Sequence, residues 1–459
     1  MTNSYYDLVH QTFNFPQEGF DVKDGYLQFN GVDVKALIDK YGTPLKLSYL
    51  PKIEMQIKKA KQMFAAAFKK HKYEGEYFYC YCTKSSHFSY VVEEALKHEI
   101  HIETSYAYDI DIVKKLYDKK KVTKDIQILC NGFKQKAYTK RIANLLNSGF
   151  TNVIPILDNK EELREYAKAV KVPFKLGIRV AAEEEPTFPF YTSRLGIRAK
   201  DILEFYVDRI EGYESKFQLK MLHIFLNKGI KDDIYYWSEL NKIINLYCQL
   251  RKICPELDSI NIGGGFPIKH SLGFEYDYQF MINEIVGNIK SACKKAKVPM
   301  PDIYTEFGSY TVGESMAHIY SVIGQKMQND REICFITTLP DTWGIGERFL
   351  LLPINKWDAD YQRVVLGGIT CDSHDYYDSE EHINEVFLPK VNNGEPLYVG
   401  FFHTGAYQDQ ISGYGGIKHC LIPSPKHVLI GYDKNGKLVD WLYAKEQTAQ
   451  SMLKILGYV

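Results

Sequence analysis

The chain has 459 residues, and its 57 Lys plus Arg balance 57 Asp plus Glu. A formal net charge of zero excludes a polybasic nucleic-acid surface or an acidic tail as the organising feature, and a composition 45% hydrophobic and 14% aromatic excludes a disordered chain. At roughly 150 residues per domain the length fits two or three domains, or one barrel of about 250 residues and something else.

The opening segment, MTNSYYDLVHQTFNFPQEGF, lacks a basic stretch followed by an apolar one, and nowhere do 18 uncharged apolar residues run together. A soluble, unexported protein with no membrane partner is expected. Nine cysteines, an odd number without CxxC spacing, fit reduced thiols and a cytoplasmic location better than a disulfide framework. Cys80 and Cys82 form a CxC pair with no His cluster beside it, so no metal site is expected.

Residues 1–50 contain strand-like segments, YLQFNGVDV and TPLKLSYL. Eight short apolar or β-branched runs follow: YFYCYCTK (77–84), IHIETS (100–105), IQILCNG (126–132), NVIPILD (152–158), FKLGIRV (174–180), KMLHIFLN (220–227), DSINIGGG (258–265) and DIYTEFG (302–308). Segments with helical spacing of apolar positions separate them, such as FSYVVEEALKHE. Alternating strand and helix signals predict an α/β chain with a parallel sheet, and eight such units predict a (β/α)8 TIM barrel over residues 51–310. From about 311 the alternation stops. HIYSVIGQKM, ICFITTL, RVVLGGITC, PLYVGFF and KHVLIGYD read as strands, and Asn435-Gly436 reads as a hairpin turn. Residues 1–50 and 311–459 are therefore expected to form a second, β-rich domain from both ends of the chain.

Polar or glycine positions close nearly every barrel run: Lys84, Glu103 with Ser105, Asn131 with Gly132, Asp158, Arg179, Asn227, Gly263 to Gly265, and Glu306. In such a barrel those ends converge on one face, where active sites are built. Simple strand-to-loop transitions would explain Gly and Asn there, but less easily a Lys, an Arg and two Glu. Strand alternation puts Cys80, Cys82 and Lys84 on one face. A lysine directed into a barrel mouth is costly unless it is paired or chemically used, for example as a Schiff-base nucleophile; a solvent-facing strand end is the plainer alternative. Gly263, Gly264 and Gly265 offer backbone N–H groups to a phosphate, or simply make a tight turn. Glu306 suits a protonated pyridine nitrogen, or Arg179 as an ion-pair partner.

The segments ILCNGFKQKAY (128–138), GGITCDSHDYYD (367–378) and GAYQ (405–408) resemble biosynthetic arginine decarboxylases, pyridoxal-phosphate enzymes of the alanine-racemase-like fold type. The order YCYCTK, IETS, CNGFK, LHIFLN, INIGGG, TEFG, TCDS, GAYQ follows that family from about residue 77 to 408. The resemblance implies a barrel plus a β domain, with pyridoxal 5'-phosphate as cofactor. Lys84 then resembles the Schiff-base lysine, Glu306 the pyridine-nitrogen partner, Gly263 to Gly265 the phosphate loop and Tyr407 a phosphate contact. His223, Phe225 and Arg179 join the cofactor-binding set. Cys371 resembles the cysteine that acts near the α-carbon after carbon dioxide leaves, and Asp372, with Asp375, is expected to face a cationic substrate end. In such enzymes TCDS comes from a second subunit, which implies a homodimer with shared sites.

Two positions depart from the family pattern. Phe225 in LHIFLNKG stands where relatives carry a ring-stacking histidine, followed here by Asn227 and Lys228, and Ser309 stands where they carry an arginine after the eighth strand. The expected reaction is α-decarboxylation of a basic amino acid, L-arginine to agmatine for polyamine synthesis being the first choice. The acidic loop AAEEEPTFPF (181–190) is read either as attracting a cationic substrate or as a solvated loop. Ornithine, lysine, diaminopimelate and carboxynorspermidine are alternative substrates. A non-catalytic metabolite- or partner-binding relative, or an amino-acid racemase, is the alternative in kind.

Overall fold

The computed structural model describes residues 4–6, 12–183, 193–226, 233–327, 333–337, 349–377, 386–391, 394 and 396–459. They divide into two compact units: residues 53–267 with 276–311, and residues 1–52 with 268–275 and 312–459. Residues 268–275 fall in the second unit, although they lie between two runs of the first; their sequence, IKHSLGFE, carries no strand or helix period that could have assigned them.

The first unit is a closed barrel of eight parallel strands in chain order, as the pattern predicts: Tyr77–Cys82, His101–Thr104, Ile128–Cys130, Val153–Leu157, Phe174–Arg179, Phe217–His223, Ser259–Asn261 and Asp302–Phe307. The last strand closes on the first, with Glu306 opposite Cys80. Cys80, Leu129, Ile154, Ile156, Met221 and Tyr304 make a buried cluster among the strands, where a small thiol at Cys80 leaves room for the ring of Tyr304. Helices follow the strands because apolar positions recur every three to four residues. In helix Ala107–Asp118, Asp109 accepts the N–H groups of Ser105 (2.7 Å) and Tyr106 (3.0 Å), which fixes the turn leaving the second strand. Among the described residues no helix is long and apolar enough to cross a membrane.

In the second unit the long strand Met316–Met327 pairs antiparallel with Leu45–Tyr49, which in turn pairs parallel with Lys426–Tyr432. An N-terminal strand thus sits between two C-terminal ones, as expected of a domain built from both chain ends. Strands Lys426–Tyr432 and Leu438–Ala444 form the predicted hairpin. Asp433 Oδ1 accepts the N–H groups of Asn435 and Lys437, both at 2.9 Å, and Gly436 supplies the left-handed φ of 75°. Where the sequence suggested only strands, YLQFNGVDV breaks into Tyr26–Phe29 and Val32–Asp33, and helix Val34–Tyr41 follows. Asp33 starts it by accepting the Ala36 N–H at 3.1 Å, and Val34, Leu37 and Ile38 are its buried face.

Candidate active site

The first strand ends at Cys82, and Lys84 lies in a single helical turn, Thr83–Ser85. Strand alternation therefore does not aim the lysine as the sequence reading supposed; the turn does. Any side chain at Gly308 would place its Cβ 1.9 Å from Ser85 Oγ, so this glycine lets the end of the eighth strand close on that turn. Lys84 Nζ donates to Glu103 Oε2 at 2.7 Å, with the lysine side chain 34% exposed and the glutamate fully buried. Glu103 reaches it because parallel register sets it opposite Cys82. Burial raises the pKa of Glu103, Lys84 opposes that, and the charge of Glu306 adds to it.

Glu306 is buried at the end of the eighth strand. Oε1 accepts from Asn261 Nδ2 at 2.7 Å and lies 3.2 Å from His223 Nε2, while Oε2 accepts from Asn131 Nδ2 at 3.4 Å. Both amides are oriented by their oxygens, since Asn261 Oδ1 accepts the Gly263 N–H (2.9 Å) and Asn131 Oδ1 the Gly132 N–H (2.8 Å). Burial works to raise the Glu306 pKa, but His223, Lys84 and Asn261 outweigh it and hold the carboxyl at about 2. The group is an ionised acceptor. Nδ1 of His223 is buried with no hydrogen-bond partner among the described residues.

Arg179 does not bond Glu306, in contrast to the ion pair considered from sequence. Its side chain is 93% buried, at 7% exposure, with the guanidinium carbon 5.8 Å above the ring of half-buried Phe225. Burial lowers its pKa, while Asp158, Glu306 and Glu103 favour its charge from a distance. Among the described residues it has no hydrogen-bond partner, an expensive state for a buried cation and one that a bound anionic or polar ligand would relieve.

The glycine segment follows the seventh strand. Gly263 donates its N–H to Asn261, and its carbonyl accepts the Glu306 N–H at 2.8 Å. The Gly264 and Gly265 N–H groups have no acceptor among the described residues. A Cβ at Gly264 would lie 2.3 Å from the Glu306 carbonyl oxygen, and Gly265 has φ of 90°, so both positions require glycine. Ser309 opens the one-turn helix Ser309–Val312.

Cys371, Asp372, Asp375 and Tyr407 belong to the second unit. Cys371 is exposed. The Asp372 side chain is 42% exposed and Oδ1 accepts the His374 N–H at 2.9 Å. Asp375, in contrast, is turned into its own loop: it is 9% exposed, Oδ2 accepts the Thr370 N–H at 2.8 Å, and the carboxylate fills the space that a side chain at Gly368 would need. That placement makes Asp375 a brace for the TCDS loop. Tyr407 is half-buried and precedes the short helix Gln408–Ile411. Glu183 pairs with Arg198 at 3.5 Å; Glu184, Glu185, Asn227 and Lys228 lie outside the described residues. Sequence reasoning placed Glu103 and Asn131 at strand ends but gave neither a partner, and it passed over Asn261 altogether. No local signal gave the first its partner, because its pairing with Lys84 depends on the register that sets Glu103 opposite Cys82.

Residues 51–313 match the family model described as the pyridoxal-binding domain of pyridoxal-dependent decarboxylases. A biosynthetic arginine decarboxylase of Shewanella piezotolerans is 22% identical over 82% of this chain and 78% of its own length. Among solved structures, the biosynthetic arginine decarboxylase of Campylobacter jejuni superposes with a TM-score of 0.80 at 18% identity, covering 96% of this chain and 91% of its own. A diaminopimelate decarboxylase of Helicobacter pylori, complexed with L-lysine, gives 0.73 at 15% identity over 92% and 99%. At such identities the structural likeness establishes the fold.

Proposed function

The chain belongs to the pyridoxal-dependent decarboxylases, and on that premise we propose that it decarboxylates L-arginine to agmatine in the cytoplasm, for polyamine synthesis, as a homodimer. The observation that carries the reading is the ionised Glu306, held among Asn261, His223 and Asn131 in the same barrel as Lys84 and its partner Glu103.

These residues fit pyridoxal phosphate group by group. Lys84 would hold it covalently through its amine. Glu306, an acceptor down to a pKa of about 2, would keep a proton on the ring nitrogen. The N–H groups of Gly264 and Gly265, which have no acceptor among the described residues, would take phosphate oxygens. Phe225 offers a ring face where relatives carry histidine, and Arg179 supplies a buried positive charge with no bonded acid among the described residues. When bound, the cofactor supplies the electron sink that loss of a carboxylate requires.

The remaining steps fall to the TCDS segment. Asp372 would bind the guanidinium of the substrate through two parallel hydrogen bonds, and the Cys371 thiol would return a proton to the α-carbon, each chain lending this segment to its neighbour's barrel. Dimerisation is supported by the exposed side chains of Trp441, Leu442 and Tyr443 on the last strand, which are 39%, 40% and 42% exposed. Arginine is preferred because relatives such as that of Shewanella piezotolerans bear that name and because CNGFK, TCDS and GAYQ resemble the same family. Incubating the purified protein with arginine, ornithine, lysine and diaminopimelate, and measuring carbon dioxide and the amine formed, tests the choice. Turnover of ornithine without arginine would overturn it.

A further inference from the structure

Seven of the nine cysteines are buried; the two exposed ones, Cys371 and Cys420, meet although they are 49 residues apart. Their sulfurs are 3.3 Å apart, and His419 Nδ1 lies 3.2 Å from Cys420 Sγ. The three donor atoms all lie within 4.8 Å of one another. Cys420 Sγ also accepts the main-chain N–H of Cys371 at 3.4 Å, which ties the two loops together at the sulfurs. Cys420 and Leu421 have φ of 54° and 56°, conformations that residues other than glycine adopt at a cost, and together with the adjoining turn they bring His419 and Cys420 to the TCDS loop.

We propose that Cys371, Cys420 and His419 bind one thiophilic divalent cation of the zinc class. In a tetrahedral site with Zn–S near 2.3 Å and Zn–N near 2.0 Å, neighbouring donor atoms lie about 3.5 to 3.8 Å apart. The sulfur–sulfur and Cys420–His419 separations, 3.3 and 3.2 Å, are a few tenths of an ångström shorter, a gap that small side-chain rotations close. Two thiolates neutralise the cation, their two protons pass to solvent, and the fourth position stays open to water. A bound cation converts Cys371 from a thiol into a ligand and removes its proton. This consequence rests on the role proposed above for Cys371, whereas the metal site itself does not.

The test uses untagged, fully reduced holoenzyme stripped with chelator, titrated with Zn²⁺ against a chromophoric competitor and separately with Co²⁺. One equivalent per chain is expected, with a thiolate-to-cobalt absorption band. Cys420→Ser and His419→Ala should each weaken binding by about tenfold or more while retaining basal turnover. Turnover of the unsubstituted enzyme should fall in step with zinc occupancy, and that of Cys420→Ser should not. Equal affinity in all three proteins, or no cobalt band, overturns the site. Stoichiometric zinc binding that leaves turnover untouched upholds the site and instead removes Cys371 from the proposed reaction.

Discussion

Replacing Glu306 with glutamine removes a charge from the barrel mouth while keeping its shape. The carboxylate faces donors on both oxygens: Asn261 Nδ2 at 2.7 Å and His223 Nε2 at 3.2 Å on one side, Asn131 Nδ2 at 3.4 Å on the other. Neither asparagine can turn its oxygen inward without giving up the glycine N–H it accepts. The new amide nitrogen must therefore face a donor, and the longer contact to Asn131 is where it loses least. A buried donor left without an acceptor costs about 1 to 3 kcal/mol. Holding the Glu306 pKa at about 2, against an ordinary 4.5, is worth about 3 kcal/mol. Because the folded-state pKa is depressed, this stabilisation is complete above pH 4.5 and fades as pH falls towards 2. Glu306→Gln should accordingly unfold at lower denaturant concentration at pH 7 and show a flatter loss of stability between those pH values. Losing the charge opposite the ring nitrogen should lower kcat/KM roughly tenfold to a hundredfold, the equivalent of one charge-assisted hydrogen bond. Urea unfolding across the pH range and steady-state carbon dioxide release read both effects. A variant within twofold of the parent in kcat/KM, with the same acid-stability profile, would refute the assignment of Glu306.

Lys84→Ala should abolish turnover and the absorbance of covalently held cofactor after gel filtration; a surviving band removes Lys84 from its role. Arg179→Met replaces a buried cation that has no bonded acid among the described residues, so the cofactor-free protein should melt at the same temperature or higher while cofactor affinity falls. A loss of about 3 kcal/mol in the cofactor-free protein would show that Arg179 serves the fold instead. Gly264→Ala drives a methyl group against the Glu306 carbonyl and should cost about 1 to 3 kcal/mol of stability, with weaker cofactor retention by equilibrium dialysis; unchanged retention would argue against the loop as a phosphate site.

The barrel was legible in the sequence because each of its strands is a short apolar run closed by a polar residue, a pattern that burial imposes on every parallel strand. Lys84 and Glu306 could be picked out because a buried ionisable side chain at a barrel mouth is costly unless it is paired or used. The hairpin at Asn435-Gly436 was equally readable, its turn being encoded within a few residues. Period-two alternation says which face a side chain takes, however, and not which neighbour it meets. Only parallel register put Glu103 beside Cys82 and within reach of Lys84. The aim of Lys84 depends on a turn just past its strand, beyond the reach of alternation. Likewise, the amides of Asn131 and Asn261 are oriented by backbone donors that exist only once the loops close. Asp372 and Asp375 are chemically alike and three residues apart, yet one faces solvent and the other braces its own loop at Thr370. Composition and periodicity decided which elements form and which residues line the barrel mouth; the pairing of those residues, and the meeting of Cys371 with Cys420, were decided by contacts between segments far apart in the chain, which local pattern does not encode.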